Sequence, residues 1–326
     1  MKKLGNWLGV LVSIAAVAWL LAAYDFGEMG PALRRAQYAW LVPVPLLLLA
    51  DYALRALRWR LLFRGAARAG IRAVFGALMI GYLFNSLLPA RGGEFVKIYL
   101  LGSLQGLTKS GVLATVLVEK TADLLIAMAL LSLLPLYFPL PKWLTPAAYS
   151  VGAMTLAAAG AILYLKLAGA ATFAAVFRAL KFVPPALLQR IEESSGRFLA
   201  GLSGLFSPAN ALQFAALSAV IWFMELAVMF VIARAFGIPL GASELLFVML
   251  MILFGTMVPS SPGYIGTFEF FGVSALALLG IGGGPALSFV IVLHALVLLV
   301  PALIGSLCLL LWKGPRLRIG EEAQIK

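Results

Sequence analysis

Two short stretches put helix breakers and ionisable groups inside long apolar runs, and they limit what this chain can fold into. The first is Pro89-Ala90-Arg91-Gly92-Gly93-Glu94-Phe95-Val96-Lys97. The second is Pro259-Ser260-Ser261-Pro262-Gly263-Tyr264-Ile265-Gly266-Thr267-Phe268-Glu269. In hydrocarbon an unpaired backbone N–H or C=O costs several kcal/mol, so non-helical backbone persists there only under protein or beside a watery cavity. A pair of Gly/Pro-interrupted apolar segments in corresponding positions of two halves points to a transporter's binding site. The expected site is therefore built from both breaks.

That reading requires the flanking runs to lie in a membrane, and composition supports it. Of 326 residues, 63% are hydrophobic and 12% charged; a soluble domain is about half apolar and a quarter charged. Mean hydropathy is +1.03. The net charge of +12 comes from basic residues beside apolar runs, as the positive-inside rule and anionic lipid head groups require, so no nucleic acid partner is expected. The single cysteine, Cys308, excludes a disulfide framework and a cysteine metal cluster. The single histidine, His294, leaves little for histidine-based metal or triad chemistry. No Walker A pattern occurs, and Gly280-Ile281-Gly282-Gly283-Gly284 reads as a turn, since no strand precedes it. No metal and no cofactor is expected.

In chain order, an all-α integral membrane protein is expected, one polytopic domain over 1–326 with about six full spans and two opposed re-entrant hairpins in an inverted repeat. Residues 1–70 hold two spans, at 4–24 and 38–57, joined by a loop at 25–37. The start, Met1-Lys2-Lys3 before about twenty apolar residues, reads as an uncleaved span, because signal-peptide cores run to about 7–15 residues. Arg55, Arg58, Arg60, Arg64, Arg68 and Arg72 then mark a cytoplasmic flank. The first repeat covers 71–166: a hairpin turning near Pro89 and returning over 92–105, an outward span at 110–134, a proline-rich loop at 135–146, and an inward span at 147–166. Residues 167–242 combine a basic interfacial segment (Arg178, Lys181, Arg190, Arg197) with a span at 211–235. The second repeat covers 243–312, its hairpin breaking at 259–263 and its last span at 286–312. The tail 313–326 ends in the cytoplasm, as does the N-terminus. Eight full spans is the alternative topology.

Several polar residues at bilayer depth carry chemistry, because charges there are rare and face a cavity or a partner. Arg91, Glu94 and Lys97 are spaced i, i+3, i+6, so a helix over 91–105 would set them on an arc of about 120°. Gly92 and Gly93 would let backbone N–H groups at that helix start face an anion, such as a phosphodiester or pyrophosphate. The alternative is that Arg91 and Lys97 pair with buried carboxylates. Thr115, Glu119 and Asp123 form one stripe with Lys120 beside it; the acids either neutralise Arg91, Lys97 or Lys120, or one of them carries a transported proton. Glu225 has no cation within a helical turn and needs a partner from another helix. Asp51 and Arg55 pair at i, i+4. Pro262, Gly263 and Gly266 shape the second break. Glu269 either satisfies nearby backbone N–H groups or binds a proton, a cation or an amine head group. His294, alone in an apolar span, is expected to be a hydrogen-bonded core residue, with a proton relay as the alternative.

These motifs resemble the transmembrane family of bacterial lysylphosphatidylglycerol synthases and flippases. The resemblance rests on Leu57-Arg58-Trp59-Arg60-Leu61-Leu62, on Pro89 to Lys97, on Glu119-Lys120-x-x-Asp123, and on Pro262-Gly263-Tyr264-Ile265-Gly266-x-x-Glu269. It implies movement of a lipid, or a lipid-linked head group, between leaflets of a bacterial cytoplasmic (inner) membrane. The family's frequent arginine three residues after the glutamate is Lys97 here, which keeps the charge and loses the planar fork. The chain ends about 14 residues after its last span, so the soluble aminoacyltransferase of the synthases is not expected, nor is lysylphosphatidylglycerol as the substrate. The expected function is a non-enzymatic flippase or scramblase whose partners are membrane lipids, anionic phospholipid or polyprenyl-linked. A membrane-embedded transferase acting on a lipid phosphate, or an accessory partner of a lipid-modifying enzyme, are the alternatives.

Overall fold

The computed structural model describes residues 2–63, 69–88, 91–179, 207–258 and 260–311. Arg64, Arg68, Pro89, Pro259, Lys181, Arg190, Arg197 and the tail lie outside them. Every regular element among the described residues is helical. The α-helices are α1 (Lys2–Ala23), α2 (Met29–Arg35), α3 (Val44–Leu61), α4 (Ile71–Leu87), α5 (Gly93–Gln105), α6 (Lys109–Leu133), α7 (Leu144–Ala179), α8 (Pro208–Ala235), α9 (Ala242–Gly255), α10 (Thr267–Leu278) and α11 (Gly283–Leu310).

Local chemistry sets the ends of these helices. Thr108 Oγ1 accepts from Gly111 N at 3.3 Å and opens α6, an N-cap that satisfies one orphan donor. Pro45 lies in the first turn of α3 and Pro208 opens α8, positions where the missing N–H forfeits no bond. At ~1.5 Å per residue, the 28 residues of α8 and of α11 reach ~42 Å. The 13 of α5, 14 of α9 and 12 of α10 fall well short of a ~30 Å hydrocarbon core.

Among the described residues four helices are long and apolar enough to cross a membrane: Tyr38–Leu61, Leu144–Tyr164, Pro208–Ala235 and Gly283–Leu310. There are five if α1 and α2, bent by 75°, form one span. Helix α6 is 25 residues long, but Glu119, Lys120 and Asp123 keep it from qualifying by apolarity. Residues 25–37, expected as a loop, instead hold a 3-10 turn at 26–28 and α2, which packs on α11. Glu28 Oε2 fixes that contact by accepting from Gly284 N at 3.2 Å. Helix α7 continues to Ala179, beyond the apolar stretch Leu144–Tyr164, because its many alanines outweigh Gly152, Gly160 and Gly169 and no proline follows Pro146.

Helix α4 lies at the centre. Val74, Ala77, Leu78, Met79 and Ile80 are fully buried, and α4 packs most extensively on α11 and α5, then on α3. Around it α3 pairs with α8, α6 with α7, and α10 with α9, α11 and α1. The outer face is apolar: Phe223, Leu303 and Leu310 are all strongly exposed. In water such a surface would drive association; lipid solvates it.

Candidate functional site

The first break delivers Arg91 to the second. Arg91 precedes α5 with φ +56°, so it stands off the helix that carries Glu94 and Lys97. Its guanidinium lies 5.5 Å from the centre of the Tyr264 ring and 3.5 Å from Thr256 O, the outer limit of a hydrogen bond. No carboxylate pairs with it among the described residues. The expected arc of Arg91, Glu94 and Lys97 is therefore absent, because the left-handed turn at Arg91 redirects its side chain. Gly92 is the N-cap of α5. Gly93 serves packing: a Cβ there would lie 1.9 Å from Gly81 O and 2.6 Å from Asn85 N, both backbone atoms of α4.

The second break is a 3-10 turn opened by Pro262. Gly263 (φ +68°) and Tyr264 (φ +61°) are left-handed. Ser261 N donates to Ser13 Oγ of α1 at 2.8 Å. Gly266 caps α10, its N–H donating to Glu269 Oε2 at 2.8 Å. Glu269 Oε1 faces His294 Nδ1 at 2.5 Å, and His294 Nε2 meets Gly263 O at 2.8 Å. Glu269 thus does satisfy a backbone N–H, and His294 is a hydrogen-bonded core residue.

Between the breaks lies a cavity of about 210 Å³, whose lining includes Asn85, Arg91, Thr256, Ser260, Ser261 and Gly263. Asn85 Oδ1 and Ser260 Oγ are buried without a hydrogen-bond partner among the described residues. Each such group costs about 1–3 kcal/mol unless something bonds it. A cation and a hydroxyl on one cavity can donate to an anionic group, while Asn85 Oδ1 can only accept from a donor on the guest.

The other charged residues form a separate network. Arg58, fully buried, holds Asp123 through two bonds of 2.6 and 2.9 Å and donates to Ser218 Oγ at 3.1 Å. Glu119 lies between Arg58 (3.8 Å) and Lys97 (3.4 Å). Lys97 pairs with Glu94 at 2.8 Å, and Glu94 with Lys120 at 3.1 Å. Arg55 bonds Asp51 at 2.7 Å and also pairs with Glu225, the partner from another helix that Glu225 requires. Lys97 Nζ stands 4.9 Å from the centre of the Trp59 ring, and Trp59 Nε1 donates to Thr115 Oγ1 at 3.0 Å. Asp51, Glu94, Glu119, Asp123 and Glu225 face Arg55, Arg58, Lys97 and Lys120, five acids against four bases. Lys97 is buried and paired with Glu94 and Glu119, the alternative role that its spacing leaves open. The predicted residues divide in two: Arg91 and Gly263 line the cavity, while Glu94, Lys97, Glu119, Lys120, Asp123 and Glu225 brace the helices.

The family model of the lysylphosphatidylglycerol synthase TM region matches residues 6–305. The chain belongs to this family. This member of the lysylphosphatidylglycerol synthase TM-region family is similar to a UPF0104 membrane protein of Methanothermobacter thermautotrophicus. The two are 25% identical over 284 residues, which cover 82% of this chain and 84% of that protein. No solved structure matches the chain. It is a multi-pass helical membrane protein of a lipid-handling family.

Sequence reasoning read Arg58 in this family member as a flanking cation, and the structure places it at the centre of the network. The missed signal is on α3. Asp51, Arg55 and Arg58 recur at i, i+4, i+7 beside the buried Leu48, Tyr52 and Trp59, so they share the core face. Asn85 was missed as well, a polar residue four positions before Pro89 at the end of a mostly apolar helix.

Proposed function

We propose that this protein moves an anionic lipid head group between leaflets through the cavity that joins the two breaks. The observation that carries the reading is the Arg91 guanidinium, held only by a long bond to Thr256 O and with no carboxylate partner among the described residues, lining the same cavity as the buried, unpartnered hydroxyl of Ser260. A phosphodiester offers the acceptors for Arg91 and for the hydroxyl of Ser260, while its acyl chains stay against the apolar exterior. The short helices support the topology: α4 with α5, and α9 with α10, are packed pairs joined at the breaks, suited to two opposed re-entrant hairpins that admit a polar group from either side. The network holds the frame. In this reading the protein sits in the cytoplasmic membrane, has both termini in the cytoplasm, and acts without chemical conversion of the lipid.

The test is reconstitution into liposomes bearing fluorescent phospholipid, with dithionite quenching of the outer leaflet. Quenching well beyond half with the native chain, falling back to about half with Arg91→Ala at equal incorporation, is the expected result. Equal quenching by both proteins removes Arg91 from the path.

A further inference from the structure

His294 is the sole histidine of the chain, and both of its ring nitrogens face acceptors. Nδ1 lies 2.5 Å from Glu269 Oε1 and Nε2 lies 2.8 Å from Gly263 O. The ring stacks on Phe268, with centroids 4.2 Å apart and planes 9° from parallel, and the residue is only 6% exposed. A neutral imidazole donates from one nitrogen only. Opposite an ionised Glu269, its second nitrogen would set a lone pair against an oxygen lone pair. One added proton resolves the conflict. Either the imidazolium donates to both oxygens, or a protonated Glu269 donates to Nδ1 while Nε2–H donates to Gly263 O.

We infer that the His294–Glu269 pair binds one proton and that this proton latches the second break to α11. Gly263 belongs to the cavity lining, so the latch acts on the wall of the proposed head-group site and rests on that reading. With the proton in place, the 262–264 turn is tied to α11 through Gly263 and to the start of α10 through Glu269. Loss of the proton to solvent breaks one of the two ring contacts and frees the turn. No other reactant is needed.

Among the described residues, the other ionisable groups on elements packed against α11 do not meet the ring. Glu28 bonds Gly284 N, and Tyr52 Oη bonds Val297 O at 3.5 Å. Tyr82 of α4 lies against Tyr52. Asp51, Arg55 and Glu225 bond one another, and Arg58 holds Asp123. Arg60 donates to Ala69 O, and Arg234 lies over Phe230. Across the cavity, Arg91 lies over Tyr264. Arg34, Arg35 and Arg72 make no described contact with the ring. Glu269 is the charged side chain that His294 meets.

The latch is tested without any transport readout. Protein carrying ¹⁵N-histidine in lipid nanodiscs gives one imidazole, so its ring shifts report one residue. We expect both ring nitrogens to shift together in a single step between pH 5 and 9. Hydrogen exchange of the 260–266 amides, corrected for intrinsic pH dependence, should lose protection about tenfold or more across the same step, the scale of one charge-assisted hydrogen bond. In His294→Gln and in Glu269→Gln the exchange step should be absent. Ring shifts constant from pH 5 to 9, or an exchange step unchanged in both variants, overturns the latch. Both results are read even if liposomes show no lipid movement, which would count against the proposed function alone.

Discussion

Arg58→Met isolates the charge network from the cavity. The wild-type guanidinium is wholly buried and makes three short bonds, two to Asp123 and one to Ser218. Removing one partner of a buried pair costs about 3–5 kcal/mol, because the other charge is left uncompensated. Two features place this case at the low end. Asp123 is 24% exposed at its side chain, so water reaches it, and Glu119 keeps Lys97 at 3.4 Å. The expected loss is about 3 kcal/mol. Asp123→Asn leaves Arg58 buried with only Glu119 nearby at 3.8 Å, and should also cost about 3 kcal/mol. The double variant carries no uncompensated charge from this pair, so its total loss should fall to about 3 kcal/mol or less, well below the sum of the singles, a coupling of at least about 3 kcal/mol. Unfolding in mixed micelles titrated with SDS, followed by tryptophan fluorescence, measures all three. Additivity within about 0.5 kcal/mol would refute the reasoning, since independent sites add to that tolerance.

Gly93→Ala should abolish recovery of monodisperse protein on size exclusion, because its Cβ meets the α4 backbone at 1.9 Å. Gly76→Ala, with nothing within 4 Å, should instead stabilise α4 by about 0.5–1 kcal/mol in the same SDS titration. Arg91→Gly should raise stability by about 1 kcal/mol by relieving the left-handed φ of +56°, while lowering leaflet exchange as far as Arg91→Ala does. A stabilised variant with full exchange would mean that the strain at Arg91 serves no function.

The breaks were legible because their chemistry is local. Proline, glycine and charge in an apolar run leave few structural options, and the structure brings both breaks to one cavity. Partner choice was not legible, because it depends on tertiary geometry. Arg91, Glu94 and Lys97 look like one arc in sequence, yet a single left-handed residue sends Arg91 to Tyr264 while Lys97 turns to Glu119. Pairing of Asp51 with Arg55 followed from i, i+4 spacing; that of Glu225 with Arg55 needed the packing of α8 on α3. His294 could be read as a bonded core residue. Its two acceptors come from the turn and from α10, which are 31 and 25 positions away in sequence.

Head-group photolabelling tests the central claim most directly. A phospholipid carrying a diazirine on its head group would be incorporated with the protein into liposomes, irradiated, and its adducts mapped by peptide mass spectrometry. A head-group cavity shared by both breaks predicts adducts on 85–91 and on 256–264 in the same sample, competed away by unlabelled anionic lipid and lost in Arg91→Ala. Adducts confined to the outward faces around Phe223 and Leu303, insensitive to that substitution, would contradict it.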